Sequence, residues 1–310
     1  MFGISKLFGN QKSRRFASIF AVSGVIFTLI AAALISSLDW HYISDEQKAS
    51  RFEPSAEISA IADELQLTRR GRAAFYAAQP ELQDDATFNA NCGNDGEATY
   101  MLGCYAGGEN ERIHLYDLDA DALDENGIHY DFAAERSTTA LHEFLHAVYV
   151  RLDSREQQNV CRAAKSFVAQ KPELGEALGY YSDAQYCTEA FARIGSEYSD
   201  QVSGILAKTY SKYFTPNEDL LARHQQNEAE LAALNERTTK THEKLSAAKS
   251  RLDNQIAAYR VSLTRRGYRA VNAQIADYNT MVADYNSLVA TYKKIVRTLD
   301  SESRTASIGK

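Results

Sequence analysis

The chain has 310 residues, enough for about two domains. It is 45% hydrophobic and 24% charged, which is close to the globular average and excludes a disordered or collagen-like chain. Residues 1–15 carry four basic and no acidic residues, whereas the remainder has 30 basic and 41 acidic residues. Because so acidic a body repels a phosphate backbone, we expect no nucleic-acid partner.

A run of 23 uncharged residues, 16–38, predicts a transmembrane helix. At the helical rise it extends about 35 Å, which exceeds the roughly 30 Å of a bilayer's hydrocarbon core. The basic tail, residues 1–15, precedes it and acidic residues follow it, so the positive-inside rule predicts a cytoplasmic N-terminus. A cleaved signal peptide is the alternative, but its apolar core usually has only about 7–15 residues. We therefore expect an uncleaved single-pass anchor in the cell membrane, with the rest of the chain extracytoplasmic.

The four cysteines all follow the predicted anchor, in the part of the chain that we expect to be exported. An even number of cysteines outside the cytoplasm favours disulfides, and three pairings are possible. We favour Cys92–Cys104, because residues 92–96 contain a turn, together with Cys161–Cys187. Free buried thiols are the alternative. A cysteine-based zinc site is disfavoured because no Cys-x-x-Cys spacing occurs.

The next segments predict a stalk, a helix and a small sheet. Residues 41–55 are polar and are interpreted as a stalk, and residues 56–80 have helical apolar spacing. Residues 81–136 contain most of the glycines and a strand-like segment, residues 112–116, which predicts a small antiparallel sheet. The acidic run at residues 117–121 resembles the start of a calcium loop, but the later ligand positions do not fit, so we interpret it as a solvated loop.

Residues 137–214 are predicted to be helical. Ser137 is the expected N-cap of the first helix, which runs through Arg151, and Ser154 or Asp153 is expected to cap the second. A third helix is expected to begin at Asp183 or Ser182, and a fourth at Asp200.

Two heptad series follow, on either side of a single glycine, Gly267. They predict an antiparallel coiled-coil hairpin over residues 218–300 that turns at residues 265–267. A disordered tail, residues 301–310, is expected after it. The hairpin is a possible site for a protein partner.

The chemistry-bearing motif is His142-Glu143-Phe144-Leu145-His146 on a predicted helix. Residues four apart lie on one helical face, so His142 and His146 can bind the same metal ion. Glu143 lies beside them, where a carboxylate can take a proton from an activated water. The alternative is a helix whose two histidines have no metal function.

A catalytic zinc needs a third protein ligand. Glu189 is the expected one, because it is flanked by small and apolar residues as a buried ligand on a packed helix would be. Glu197 and Asp183 are the alternatives, and Glu197 is also a candidate hydrogen-bond partner of one histidine. The oxyanion of the transition state is expected to be held by zinc and by one of four side chains: Tyr198, Tyr210, Tyr213 or His114. Residues 113–116 are a candidate strand for binding an extended peptide along its edge.

These residues resemble the gluzincin class of zinc metallopeptidases, which combine His-Glu-x-x-His with a downstream glutamate. Residues 70–295 more narrowly resemble uncharacterised bacterial membrane-anchored metallopeptidases with a C-terminal coiled coil. The shared features are Leu102-Gly103-Cys104-Tyr105, the motif helix, Glu189, and the pairs Tyr278-Asn279 and Tyr285-Asn286. Arg193 departs from the gluzincin pattern, since the best-known members have an aspartate there.

The resemblance implies a mainly α fold in which a zincin-like domain, residues 56–215, carries a small antiparallel sheet. It also implies a Zn²⁺ cofactor held by His142, His146 and Glu189, and a peptide or protein substrate. The expected function is a membrane-tethered zinc metallopeptidase with Glu143 as general base. The alternatives are a surface scaffold whose coiled coil is the working part, and a hydrolase of peptidoglycan cross-links.

Overall fold

The computed structural model describes residues 40–92, 102–118 and 120–300. The predicted cytoplasmic tail, transmembrane segment and C-terminal tail lie outside these residues. Within the described ranges, no helix is both long enough and apolar enough to cross a membrane. The chain divides after Ser44 into two compact units, and residues 40–44 of the first unit begin a helix.

The described chain is mainly helical, as expected. The helices are α1 Trp40–Ala49, α2 Ala56–Glu64, α3 Arg69–Ala77, α4 Asp85–Cys92, α5 Phe132–Arg151, α6 Ser154–Val168, α7 Pro172–Leu178, α8 Asp183–Glu197, α9 Gly204–Tyr210, α10 Glu218–Ser262 and α11 Arg265–Leu299.

Residues 56–80, predicted as one helix, form two, α2 and α3. The break follows Leu65, where Gln66 adopts a left-handed conformation with φ of 48°. Thr68 then caps the second helix, because its hydroxyl accepts a hydrogen bond from the Gly71 N–H at 3.0 Å. Gly71 is required here, since a Cβ would lie 1.7 Å from the carbonyl oxygen of Tyr213.

The strands form two small sheets. Strands β1 (Glu81–Gln83), β2 (Gly103–Ala106) and β3 (Arg112–Tyr116) make one sheet in the order β1-β3-β2. The β2–β3 pair is antiparallel, as expected, but β1 pairs with β3 in parallel. Because β3 is central, the expectation that residues 113–116 offer a peptide-binding edge is wrong; the edge strands are β1 and β2.

Strands β4 (Ala122–Glu125) and β5 (Ile128–Asp131) form an antiparallel hairpin. Its two-residue turn, Asn126-Gly127, has φ of 55° and 71°, as the tight turns that match strand twist require. Residues 122–128, where a calcium loop would continue, are therefore paired strand and turn.

Helix α5 begins earlier than expected. Its N-cap is Asp131, whose carboxylate accepts a hydrogen bond from the Ala134 N–H at 2.9 Å, and not Ser137. Ser137 is buried within the helix and donates to Glu64. For α6 the expected cap Asp153 is confirmed, and it forms a capping box with Glu156. Helix α8 starts at Asp183 after the N-cap Ser182, as expected. The helix that was predicted to begin at Asp200 is α9, which begins at Gly204.

Helix α5 lies at the centre of the main hydrophobic core, with α8 packed along it. The two helices approach closely at Gly195, where a Cβ would lie 2.4 Å from Leu145 Cδ1. The buried apolar side chains of α5 include Leu141, Phe144 and Val148. Three polar residues of α5 face other elements: Glu143 faces β2, His146 faces α8 and Glu135 faces α10.

Both predicted disulfides are confirmed. Cys92–Cys104 joins α4 to β2, with Cα atoms 5.8 Å apart, and Cys161–Cys187 joins α6 to α8, with Cα atoms 5.0 Å apart. All four cysteines are paired.

The segment predicted as a polar stalk contains α1, and part of it is packed against the end of α5. The guanidinium of Arg151 binds both oxygens of Asp45 at 2.9 Å and both oxygens of Glu111 at 2.8–2.9 Å. All three residues are buried, with at most 8% of their surface exposed. Such a buried network is strongly destabilised by loss of one partner, so it holds residue 45 to the helix that carries the motif.

Helices α10 and α11 pack against each other in antiparallel orientation. The ring of His242 lies 5.5 Å from that of Tyr285, and the ring of Tyr259 lies 6.2 Å from that of Tyr268. The turn is at Leu263 and Thr264, not at residues 265–267. Thr264 caps α11, and Gly267 lies in the first helical turn, where its N–H donates to the Thr264 hydroxyl. Coiled-coil packing of this hairpin stays a prediction.

The part of the hairpin that is distant from its turn shares a hydrophobic cluster with the two sheets. Leu234 of α10 and Leu288, Ile295 and Leu299 of α11 are buried with Tyr116 and other residues of the strands and of α4 and α5. A domain boundary between residues 215 and 218 stays a prediction. In the structure, residues on both sides of this boundary belong to one hydrophobic cluster.

Candidate metal centre

Helix α5 presents two imidazoles, one turn apart, at the same point. The Nε2 atoms of His142 and His146 lie 3.1 Å apart. Both side chains are partly buried, because apolar residues of the same helix occupy the core. In this arrangement both Nε2 atoms face one position, as two ligands of one metal would.

Helix α8 brings Glu189 to the same point. One carboxylate oxygen lies 3.5 Å from His142 Nε2, and the other lies 3.5 Å from His146 Nε2. The close approach at Gly195 and the Cys161–Cys187 disulfide, which ends two residues before Glu189, hold α8 in place. Three side chains separated by up to 47 positions in sequence thus converge.

The donor set and the spacing fit a zinc ion. Ligand atoms about 2.0–2.1 Å from zinc at tetrahedral angles lie about 3.3–3.4 Å from one another. The two Nε2 atoms are 3.1 Å apart, and each lies 3.5 Å from a different carboxylate oxygen of Glu189. Two imidazole nitrogens and one carboxylate oxygen also leave a fourth tetrahedral position for water.

The local electrostatics keep the imidazole of His146 neutral. Burial, together with the neighbouring His142, lowers the pKa of His146 to about 4. Burial opposes the charged form of His142 too, but contact with Glu189 and the charges of Glu143 and Glu197 outweigh it and raise its pKa. Burial likewise disfavours charged Glu189, yet the two histidines lower its pKa overall, so that it remains a carboxylate at neutral pH.

Thr188 contacts one of the imidazoles, an interaction that the sequence analysis did not identify. Its Oγ1 lies 2.9 Å from Nδ1 of His146. Occupation of Nδ1 by a hydrogen-bond partner directs the opposite nitrogen, Nε2, toward the shared position. A threonine directly before the candidate ligand Glu189 is the one local hint.

Glu143 is buried between α5 and β2, with 7% of its surface exposed. A Cβ on Gly103 would lie 2.9 Å from Glu143 Cγ, so the backbone of β2 passes directly over this side chain. The carboxylate-bearing side chain is therefore adjacent to the edge strand as well as to His142. This close contact explains why glycine, which has no Cβ, occupies position 103.

The alternative ligands Glu197 and Asp183 do not join this cluster. Glu197 accepts a hydrogen bond from Arg193 at 2.9 Å, and Asp183 is exposed at the start of α8. Within the part of the chain that the structure describes, His142, His146 and Glu189 are the only group of three or more potential ligands that lies close enough to hold a metal. Arg193, the residue that departs from the gluzincin pattern, forms an ion pair with Glu197.

All four candidates for oxyanion binding have other contacts. The hydroxyl of the buried Tyr210 donates to the carbonyl of Phe191 at 2.7 Å, and His114 contacts Gln83 at 2.8 Å. The ring of Tyr213 lies beneath the guanidinium of Arg70. Tyr198 packs against Phe167 and Lys171.

A second polar cluster lies where the hairpin meets α5, and sequence reasoning missed it. Glu135, two turns before His142, accepts hydrogen bonds from Asn227 at 2.7 Å and from His224 at 3.2 Å. Glu228, one residue further along α10, adds another carboxyl, whose pKa is raised mainly by burial. These residues form no recognisable sequence motif, because they belong to segments that are about 90 residues apart.

No protein-family model, curated protein or solved structure matches this chain.

Proposed function

We propose that the protein is a zinc metallopeptidase that hydrolyses peptide bonds. The observation that carries this proposal is the convergence of His142, His146 and Glu189 at zinc-ligand spacing, with Glu143 buried beside them. Glu143 is not a member of the ligand group, and a purely structural metal would require no carboxylate at that position. A zincin-like fold is part of the same proposal.

A zinc ion in this site would supply an activated water and polarise the substrate carbonyl. Glu143 would accept the proton of that water and deliver it to the leaving amine. Glu189 compensates the positive charge of the metal, and Thr188 keeps the His146 ring oriented. The low exposure of Glu143 keeps bulk water from competing for its proton.

The edge of β2 is the proposed binding surface for an extended peptide. Within the described sheet β2 pairs only with β3, so that its other edge can pair with a substrate strand. Gly103 lies on this strand in contact with Glu143, which would bring a peptide bond near the base. The Cys92–Cys104 disulfide ties the strand to α4.

The proposed location is the extracytoplasmic face of the cell membrane, with the chain tethered by residues 16–38. The basic flank before this segment and the two disulfides after it support that orientation. The hairpin of α10 and α11 would be an antiparallel coiled coil available to a protein partner.

The test uses the full chain in detergent, with zinc content and hydrolysis of an unbiased peptide mixture measured on the same sample. Glu143→Gln keeps the size and hydrogen-bonding ability of the side chain and removes the base. We expect it to retain zinc and to lose about 10²–10⁴-fold in rate. Equal hydrolysis by the two proteins, or absence of zinc from both, would refute the proposal.

The second candidate function is a surface scaffold whose hairpin is the working part. It is favoured by the length of the two helices, 45 and 35 residues, which extend beyond the residues that pack against the sheets. Stoichiometric zinc with no hydrolysis of peptides or of peptidoglycan cross-links would support the scaffold. Cleavage of the cross-links alone would identify a cell-wall hydrolase.

A further inference from the structure

The tip of the hairpin, residues 260–269, combines exposed apolar side chains with uncompensated positive charge. Val261 is 88% exposed and Leu263 is 73% exposed. Between Asp253 and Asp277 the chain contains four arginines and no acidic residue: Arg260, Arg265, Arg266 and Arg269. All four are exposed, and none takes part in an ion pair within the described residues. This contrasts with the acidic net charge of the whole chain.

Leu263 occupies a position where leucine is unfavourable for folding. It adopts the left-handed conformation, with φ of 49° and ψ of 30°, directly after α10. Glycine or asparagine usually fills such a position, because other residues are strained there. A strained leucine exposed to water contributes neither turn stability nor core packing. Contact with an apolar medium outside the chain would account for it.

The size of the tip distinguishes between possible partners. A stable protein interface needs about 20–30 residues on each side. The tip is the end of only two helices, and its exposed apolar side chains are Val261, Leu263 and Tyr268. Shallow insertion of a few apolar side chains, with basic residues at the headgroups, is by contrast sufficient at a membrane surface.

We propose that the hairpin tip binds an anionic lipid surface. Val261 and Leu263 enter the headgroup region, and the four arginines pair with lipid phosphates. Tyr268, 54% exposed, lies one turn into α11, where an aromatic ring can occupy the interface. Each arginine near the surface is expected to contribute about fivefold in affinity.

The experiment uses a fluorescent reporter at the tip. Trp40 is the only tryptophan, so Val261→Trp in a Trp40→Phe background reports on the tip alone. The full chain is carried in phosphatidylcholine nanodiscs, and vesicles with brominated acyl chains are added separately. Because bromine is present only in the vesicles, quenching measures contact of the tip with the added lipid, whatever the N-terminal segment does.

We expect blue-shifted, quenched emission with vesicles that contain phosphatidylglycerol, and none with phosphatidylcholine alone. Arg265→Gln with Arg266→Gln should weaken binding by about 25-fold, and added salt should weaken it too. Arg251→Gln, an exposed arginine on α10 away from the tip, is the matched control and should change nothing.

Leu263→Asn separates binding from folding. Asparagine tolerates the left-handed conformation, so helix content should be kept while lipid binding falls. Unchanged emission with anionic vesicles would overturn the proposal, as would quenching that is insensitive to both the arginine and the Leu263 variants. A shift that depends on protein concentration without vesicles would also overturn it, since the occupant would then be the acidic surface of a second copy.

Discussion

The amide of Asn227 donates a hydrogen bond of 2.7 Å to Glu135, seven residues before His142 on the same helix. Asn227 also accepts a bond from the Asp131 N–H at 2.8 Å and donates to the Asp131 carbonyl at 2.7 Å. One side chain of α10 thus binds the residue that caps α5 and a carboxylate on its first turn. The long hairpin and the helix carrying the motif are joined at this point.

Asn227→Ala should lower the free energy of unfolding by about 3 kcal/mol, because buried backbone and carboxylate groups would lose their partner. Asn227 is only 1% exposed, so water cannot replace the amide easily. Denaturant unfolding of the full chain in detergent measures the change. Asn286→Ala, an exposed asparagine on α11, is the control and should stay within about 0.5 kcal/mol. Equal stabilities of the two variants would contradict the role assigned to Asn227.

Gly103→Ala should reduce peptide hydrolysis by about 100-fold while zinc is retained. The new Cβ would lie 2.7 Å from Thr139 Cγ2 and 2.9 Å from Glu143 Cγ, so Glu143 must move. Displacement of a catalytic group by about 1 Å can cost that much in rate. Gly107→Ala, whose Cβ would meet only the Tyr105 ring at 3.5 Å or beyond, is the control. If Gly103→Ala retained full activity, the assignment of Glu143 as the general base would be wrong.

Glu189→Gln should lower zinc occupancy, because a neutral amide oxygen is a weaker ligand than a carboxylate. Asp183→Asn makes the same chemical change at the exposed start of α8 and should leave occupancy unchanged. Zinc content after dialysis against a weak chelator measures both. If Glu197→Gln lost zinc and Glu189→Gln kept it, the third ligand would be misassigned.

His224 should make the folded chain more stable at about pH 6 than at about pH 8. Burial disfavours its charged form, but the hydrogen bond to Glu135 and the charges of Glu135, Glu197 and Glu228 raise its pKa overall. A pKa raised above the unfolded value of about 6.5 gives stability that is complete below that value and is lost as pH rises through the folded pKa.

His224→Gln should remove this part of the pH dependence. The pKa of the exposed His129 is also raised, by Asp124, so the difference between wild type and variant is the relevant quantity. Thermal unfolding across this pH range provides it. A difference that is constant with pH would show that His224 does not titrate in the folded state.

Several features of the protein follow from local sequence alone. Histidines four apart on a helix face the same way whatever surrounds them, and Asp153 followed by Glu156 forms a capping box from short-range contacts. The even number of cysteines after the predicted anchor and the turn after Cys92 were enough to predict both disulfides. A break in the heptads was enough to predict two long helices, although the turn, at Leu263 and Thr264, lies just before the predicted residues 265–267.

The tertiary structure decided what lies next to the motif. Thr188 at His146, Gly103 over Glu143, and Asn227 on Glu135 are contacts between segments about 40 to 90 residues apart, and no periodicity encodes them. The N-cap of α5, Asp131, was missed for a related reason: Ser137, an equally good cap by residue type, is buried against Glu64. Local patterns fix which side chains share a face, because helix geometry is the same everywhere. Which other segment meets that face depends on how the whole chain buries its apolar surface, and only the folded structure contains that information.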